Sequence, residues 1–225
     1  MHGPVDLVIL DCDGVLVDSE PIALALLRDM LSDLGLDLPL ERVQREFQGR
    51  SLPSVVERLR ARHGLDPPPE ALEAMGETLL RRFTSELRVV SGMAGLVDRL
   101  DRPSCVASSS NARRLAHALA VTGLAPRFEG RVFSAEAVRR GKPAPDLLLH
   151  AAGRCGARPA RCLVVEDSGA GVEAAVAAGM MVVGLTAGSH ARGPGYADRL
   201  RCAGAEAVAP DAATLEKLIA PILRP

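Results

Sequence analysis

Short apolar runs alternate with helical patterns along most of this chain, and this alternation restricts the folds available to it. The apolar runs lie at residues 5–10, 104–108, 131–133, 162–165 and 181–185. The helical stretches after residue 92 lie at 94–100, 112–121, 146–155, 171–178 and 212–223. Strands that alternate with helices predict a parallel sheet covered on both faces. We therefore expect an α/β fold whose core is a doubly wound, Rossmann-like parallel sheet.

The region between residues 19 and 87 differs, because it contains helical patterns and no strand pattern. Apolar residues recur at helical spacing over 22–34, behind Ser19 as the expected N-cap, and further helices are predicted at 54–62 and 70–83. A region of this size can form an independent domain. We predict a core domain of residues 1–18 and 88–225, with a small all-helical cap domain at 19–87 inserted after the first strand.

The composition excludes several classes of partner. The 225 residues carry 27 basic and 28 acidic side chains and only 2% aromatic residues. Nucleic-acid binding needs a basic face or stacking platforms, so we expect neither DNA nor RNA as a partner. No apolar run approaches the roughly 18 residues of a membrane span, and no signal-peptide pattern is visible. The five cysteines form no CxxC pair. We expect a soluble, cytoplasmic protein that does not bind membranes.

Polar side chains stand at the ends of three predicted strands. In chain order they are Asp11 and Asp13, then Ser108, Ser109 and Ser110, then Glu166 and Asp167. Ligands of doubly wound sheets bind outside the carboxyl ends of the strands, so these side chains predict a site at that edge. Core packing does not require carboxylates or hydroxyls at these places.

Lys142 joins this set for a compositional reason. Among 27 basic residues, only Lys142 and Lys217 are lysines. A lysine retained in so arginine-rich a chain, within Gly141-Lys142-Pro143, indicates a task that needs a compact ammonium rather than a planar guanidinium. Lys217, on the closing helix, is expected to be a surface residue.

The charges of this set predict a metal and a reaction type. Four carboxylates would repel one another without a cation, and an all-oxygen set favours Mg²⁺. A carboxylate can attack phosphorus to form an aspartyl-phosphate, while Mg²⁺ and a lysine neutralise the phosphoryl oxygens. A second acid can protonate the leaving alkoxide and then deprotonate the attacking water.

Four short segments of this chain resemble the four motifs of the haloacid dehalogenase-like (HAD) phosphatase superfamily. Residues 11–20 read DCDGVLVDSE, Ser108 follows, residues 141–146 read GKPAPD, and residues 165–168 read VEDS. All four occur in order, and the resemblance covers nearly the whole chain. The helical insert is similar to the cap of the branch that contains β-phosphoglucomutase and small sugar-phosphate phosphatases, bacterial 6-phosphogluconate phosphatases among them.

The resemblance implies a role for each motif residue. Asp11 would be the nucleophile and Asp13 the general acid/base. Ser108 and Lys142 would bind the transferring phosphoryl group. Mg²⁺ would be held by the side chains of Asp11 and Asp167 and by the backbone carbonyl of Asp13. Glu166 would be a direct or water-mediated ligand.

Three further residues are candidate contacts to substrate. Ser109 and Asn111 follow Ser108 and either touch the phosphate or cap the next helix. Arg50, after Gly49 in the predicted cap domain, is a candidate for binding substrate, although a solvated side chain is the more common reading. His190, on the loop after the last predicted strand, is expected to be solvent-exposed.

The expected activity is Mg²⁺-dependent hydrolysis of a small sugar phosphate, or of a sugar-acid or polyol phosphate. The alternatives are a sugar phosphomutase and a binding protein that keeps the fold without activity. β-Phosphoglucomutases carry a His where this chain has Ala23, and a cap Arg where it has Leu52, so both departures favour hydrolysis. The sequence indicates neither the particular sugar nor the oligomeric state.

Overall fold

Six strands form one parallel sheet in the computed structural model, which describes residues 4–223. The strands are β1 (Leu7–Leu10), β2 (Ser104–Ser108), β3 (Val132–Ser134), β4 (Cys162–Glu166), β5 (Met181–Leu185) and β6 (Ala207–Ala209). Their order across the sheet is β3-β2-β1-β4-β5-β6, and every neighbouring pair is parallel. The strand order reverses beside β1, so the predicted doubly wound α/β class is confirmed.

The strands are apolar because the sheet is covered. All residues of β1, β2, β4 and β5 are buried. Leu7 and Ile9 of β1 belong to a hydrophobic cluster with residues of three helices. Strands buried on both faces read as continuous apolar runs, which is why these four could be predicted.

Six helices accompany the sheet: α5 (Met93–Asp98), α6 (Ala112–Val121), α7 (Asp146–Arg154), α8 (Gly169–Ala177), α9 (Tyr196–Ala203) and α10 (Ala212–Leu223). Helices α7, α8 and α9 supply the cluster that covers Leu7 and Ile9. Asp211 caps α10 by accepting a hydrogen bond from the backbone N–H of Thr214 at 2.7 Å. Helix α9 and strand β6 were not predicted.

The chain divides into two compact units. One comprises the residues up to Asp18 and those from Arg88 onward, and the other is Ser19–Leu87. The predicted core domain also includes residues 1–3 and 224–225, which lie outside the described residues. No helix among residues 4–223 is long and apolar enough to cross a membrane.

The second unit contains four helices around a core of its own. They are α1 (Glu20–Asp33), α2 (Leu40–Phe47), α3 (Leu52–His63) and α4 (Pro69–Glu86). Leu31, Val43 and Leu59 are completely buried in its core. Ser19 occupies the N-cap position of α1, as predicted, and its side chain makes no capping hydrogen bond. Helix α2 was also not predicted.

Within the first unit, the segments that flank the helical insertion are paired with each other. The backbone N–H of Asp18 donates to the carbonyl of Arg88 at 2.9 Å, and that of Val90 donates to Leu16 at 2.9 Å. Val17 and Val89 form an antiparallel bridge. The chain therefore leaves the sheet unit and returns to it through two adjacent segments that are hydrogen-bonded to each other.

Candidate active site

A tight turn after β1 presents two acidic residues at the carboxyl edge of the sheet. The backbone N–H of Asp11 donates to Val165 of β4 at 3.1 Å, which holds the end of β1 against its neighbour. Gly14 has a φ of +86° and its N–H donates to Val17 at 2.7 Å. A side chain rarely adopts that φ, so the glycine permits the turn that places Asp11 and Asp13 side by side.

Lys142 connects the ends of three strands. Its Nζ donates to Asp11 Oδ1 at 2.6 Å, to Glu166 Oε1 at 2.5 Å and to the carbonyl of Ala107 at 2.9 Å. The side chain is only 3% exposed. An ammonium has three donors, and each of them has an acceptor here. The structure thus brings Lys142 into direct contact with Asp11.

The charges around Lys142 shift its pKa and that of Asp11. Burial would lower the pKa of Lys142, but the carboxylates of Asp11 and Glu166 outweigh burial and raise it, so the ammonium stays charged. Burial raises the pKa of Asp11 well above its usual range; Lys142 opposes this, and the carboxylates of Glu166, Asp167 and Asp13 add to it. Further positive charge at this place would favour the ionised form of Asp11.

Glu166 is held by donors on both sides of its carboxylate. Oε1 accepts from Lys142, and Oε2 accepts from the backbone N–H groups of Asp167 and Ser168, each at 3.0 Å, and from Ser168 Oγ at 2.9 Å. A Cβ on Gly171, in the first turn of α8, would lie 1.9 Å from the Glu166 carboxyl carbon. Glu166 therefore orients Lys142 and the start of α8.

Asp13 contacts the loop that follows β2. Its Oδ1 accepts from the Arg114 guanidinium at 2.7 Å, and its Oδ2 accepts from Ser110 Oγ at 2.6 Å and from Ser108 Oγ at 3.4 Å. The structure thus brings Ser108 to the carboxylate pair, as the strand ends indicated. Arg114 and its contact with Asp13 were not predicted, because an arginine in the first turn of α6 has the same sequence pattern as a surface residue.

The other predicted contacts to substrate have different surroundings. Asn111 is the N-cap of α6, and its Oδ1 accepts from the backbone N–H of Arg114 at 2.8 Å. Ser109 is exposed. Arg50 belongs to the helical unit, where its Nε donates to the carbonyl of Glu46 at 3.0 Å. Their roles stay predictions.

Asp167 pairs with a histidine that the sequence led us to place in solvent. His190 Nε2 lies 2.7 Å from Asp167 Oδ2, and the His190 side chain is only 2% exposed. The expectation of a solvent-exposed His190 is therefore wrong. The glycine at 188 was the available sequence clue, because small residues allow a ring to pack closely against the backbone.

The donor set fits a hard divalent cation. Counted at their formal charges, four carboxylates (Asp11, Asp13, Glu166 and Asp167) share this edge with two cations, Lys142 and Arg114, which gives an excess of two negative charges. All the ligand atoms that these carboxylates offer are oxygens, and Mg²⁺ prefers oxygen ligands. Among residues 4–223 no group of three or more His, Cys, Asp and Glu side chains is arranged to hold a metal ion by itself. Carboxylates plus a backbone carbonyl, with water completing the shell, are an ordinary set for Mg²⁺.

Comparison with known proteins assigns the chain to a family. A family model for haloacid dehalogenase-like hydrolases matches residues 5–179. The chain is 31% identical to 6-phosphogluconate phosphatase of Escherichia coli, over 83% of this chain and 85% of that one. It is 32% identical to fructose-1-phosphate phosphatase of the same organism, over 78% of this chain and 94% of that one.

A solved structure shows the same fold over nearly the whole chain. It is a haloacid dehalogenase-like protein of unknown function from Agrobacterium tumefaciens, with 36% identity and a TM-score of 0.85 over 98% of this chain and 100% of that one. A doubly wound parallel sheet with acidic residues and a buried lysine at its carboxyl edge is the architecture of an α/β enzyme. The chain belongs to the haloacid dehalogenase-like hydrolases.

Proposed function

We propose that this enzyme is a Mg²⁺-dependent phosphomonoesterase that hydrolyses a small sugar phosphate, or a sugar-acid or polyol phosphate. The observation that carries the proposal is the buried Asp11 carboxylate, whose Oδ1 lies 2.6 Å from the buried Lys142 ammonium and whose neighbour Asp13 is a second acid. The relatives named as 6-phosphogluconate and fructose-1-phosphate phosphatases support the substrate class.

In the first half-reaction, a carboxylate oxygen of Asp11 attacks the phosphorus of the substrate. The bond from phosphorus to the ester oxygen breaks, and the departing alkoxide takes the proton of Asp13. Lys142 and Ser108, with their donors aimed at this edge of the sheet, bind the phosphoryl oxygens as negative charge builds on them. Asp11 then carries the phosphoryl group as an acyl phosphate.

In the second half-reaction, Asp13 acts as the base. Its carboxylate takes a proton from water, the oxygen of that water attacks phosphorus, and the bond from phosphorus to Asp11 breaks. Inorganic phosphate leaves, and both aspartates return to their starting states. A bound Mg²⁺ would neutralise phosphoryl oxygens and favour the ionised form of Asp11.

The metal is proposed to be held by the Asp11 carboxylate, the backbone carbonyl of Asp13 and the Asp167 carboxylate. Glu166 is assigned a supporting role, because Lys142 and the donors of residues 167 and 168 already engage both of its oxygens. Glu166 would contact the ion through water and keep Lys142 beside Asp11.

We assign substrate selectivity to the helical unit as a cap domain, with Arg50 as one contact. Desolvation, together with the positive charges of Arg62 and Arg50, lowers the pKa of Arg58, so Arg58 experiences repulsion from two other guanidinium groups. A bound anion would relieve that repulsion.

Cys12, Cys105, Cys155, Cys162 and Cys202 are all free thiols, which suits action in the cytoplasm.

The test is phosphate release from a panel of sugar, sugar-acid and polyol phosphates, with Mg²⁺ and with EDTA. We expect release that requires Mg²⁺ and is confined to a few substrates. Asp11→Asn should reduce it to background, since an amide cannot serve as the nucleophile, while Asp101→Asn, on an exposed residue, should leave it unchanged.

Two results would contradict the proposal. Substantial turnover by Asp11→Asn would remove the nucleophile from the mechanism. Conversion of β-glucose 1-phosphate to glucose 6-phosphate without net phosphate release would identify a phosphomutase instead.

A further inference from the structure

His190 lies in a short helical turn, Ser189–Arg192, directly after the loop that follows β5. Its Nε2 is 2.7 Å from Asp167 Oδ2, and the side chains are 2% and 7% exposed. At this distance the buried imidazole and the carboxylate are in direct polar contact, which restricts the rotamers open to the carboxylate. None of the reaction steps proposed above uses this histidine.

Two glycines make the space in which this pair fits. A Cβ on Gly14 would lie 1.8 Å from Asp167 Oδ2 and 2.7 Å from His190 Cε1. A Cβ on Gly188 would lie 2.7 Å from His190 Cε1 and 3.0 Å from the carbonyl oxygen of Gly14. The imidazole is therefore enclosed between the turn that carries Asp11 and Asp13 and the loop after β5.

Contacts on both sides of His190 fix its turn and its ring. Asp18 Oδ1 accepts from the backbone N–H of Ser189 at 3.1 Å and from Ser189 Oγ at 2.9 Å. The ring of Tyr196 meets the imidazole edge-on, with 5.6 Å between ring centroids. Both the position and the tilt of His190 are thus set by neighbours other than Asp167.

We propose that His190 is a positioning residue that holds Asp167 ready for the divalent cation and thereby raises the affinity of the site for Mg²⁺. This inference rests on the proposed function. A carboxylate whose rotamers are already restricted loses less conformational freedom when it binds a cation, and removing a residue that contacts a metal-binding group commonly weakens metal affinity by about 10- to 100-fold. The role of His190 concerns the binding of the ion and not the phosphoryl transfer itself.

The experiment is calorimetric titration of the full chain with MgCl₂ in the absence of substrate. We expect His190→Ala to weaken Mg²⁺ binding by about tenfold or more. His190→Gln should recover most of the affinity, because its amide can donate to the same carboxylate and fills much of the same space. His117→Ala, on α6, is the matched control and should bind Mg²⁺ as the unmodified protein does.

Kinetics provide a second readout. The Mg²⁺ concentration for half-maximal rate should rise in His190→Ala, while kcat at saturating Mg²⁺ should stay within a few-fold of the unmodified value. Loss of folding would instead lower kcat at every metal concentration. If His190→Ala unfolds at the assay temperature, His190→Leu decides, because it fills much of the same space without a polar atom: weaker Mg²⁺ binding than in His190→Gln supports the proposal, and equal binding contradicts it.

The contrary outcomes are distinct. Equal Mg²⁺ affinity in the unmodified protein and folded His190→Ala would show that the histidine does not act on the metal site. Tighter binding in His190→Ala would show that His190 competes with the cation for Asp167. Failure of the unmodified protein to bind Mg²⁺ would overturn both this inference and the proposed metal dependence, whereas turnover by Asp11→Asn would contradict the proposed mechanism alone.

Discussion

Arg114 and Ser110 bind opposite oxygens of the Asp13 carboxylate, at 2.7 Å and 2.6 Å. The carboxylate is therefore oriented by the loop after β2 and by α6, rather than by its own turn alone. An acid that must deliver a proton to one particular oxygen gains from such restraint. Arg114 is expected to matter most where the leaving group needs that proton.

This expectation can be tested with two substrates. Arg114→Met should lower kcat on a sugar phosphate by about tenfold or more, because a poorly placed acid protonates an alkoxide inefficiently. Hydrolysis of p-nitrophenyl phosphate should fall much less, since nitrophenolate leaves without a proton. Arg113→Met, at the adjacent exposed position, is the control. An equal fall on both substrates would assign Arg114 to binding or folding instead.

A substitution at Lys142 tests whether turnover depends on the shape of the cationic group as well as on its charge. Its ammonium has three acceptors within a pocket that leaves the side chain 3% exposed. Lys142→Arg keeps the charge but cannot place a planar, larger guanidinium among those acceptors, so kcat should fall by about 100-fold or more. Lys217→Arg, at the other lysine, should have no effect. Near-normal turnover by Lys142→Arg would show that charge alone suffices.

The sequence located part of the candidate site and missed another part, for a physical reason. Asp11 and Glu166 could be placed together because parallel strands deliver their carboxyl ends to one edge, and Lys142 was added because lysine is so rare in this chain. Arg114 and His190 reach that edge only through a helix turn and a loop whose conformations depend on packing. The reason for glycine at positions 14 and 188 becomes apparent only in the structure, where a Cβ at either position would clash with the His190 imidazole.

The same division holds for the elements. Strands β1, β2, β4 and β5 are continuous apolar runs, and they were predicted to within a few residues. Strand β6 has three residues and lies at the edge of the sheet, so it offers little pattern to read. Helices α2 and α9 are eight residues long and largely polar, and α9 follows a Gly-Pro-Gly segment typical of loops.

Helix α2 is stabilised by charge as well as by Val43 and Phe47. Glu46 accepts from Arg42 within the helix at 2.8 Å and pairs with His63 of α3 at 2.8 Å. The hydrogen bonds from Arg42 and His63 lower the pKa of Glu46 to about 2. The ionised carboxylate therefore stabilises the folded unit above its ordinary pKa of about 4.5, and this contribution is lost as the pH falls through about 2.

Chemical denaturation at several pH values checks this sign. Glu46→Gln should be less stable at pH 7 by about 1–2 kcal/mol, a figure that allows for the exposure of Arg42. The difference should shrink between about pH 4.5 and pH 2. Glu41→Gln, one turn earlier on the exposed side of α2, should show no comparable difference. A gap that persists at pH 2 would indicate a packing effect instead.

At the scale of the whole molecule, each of the two units has its own hydrophobic core. The sheet unit contains Asp11, Asp13, Lys142, Glu166 and Asp167, and the paired segments at Leu16–Val90 and Asp18–Arg88 close it where the helical unit is inserted. Chemistry and selectivity are thus assigned to separate parts of the chain. The sheet unit alone should fold.

Replacing residues 19–87 with a Gly/Asn turn of about four residues tests this separation. We expect a cooperative thermal transition and Mg²⁺-dependent hydrolysis of p-nitrophenyl phosphate, with the preference among sugar phosphates lost. The shortened chain carrying Asp11→Asn is the control for contaminating activity. Absence of a cooperative transition would show that the sheet unit depends on the helical one for folding.

The two lysines of this chain differ sharply in access, since Lys142 is enclosed and Lys217 is exposed on α10. Reagents that acylate amines should therefore find a single side-chain target, far along the sequence from Asp11 and Ser108, which we propose act on the phosphoryl group. With the α-amino group of the chain blocked beforehand, coupling through Lys217 would tether the enzyme to a solid support in a uniform orientation. The arginine-rich composition thus makes the protein suited to site-selective immobilisation without any engineered handle.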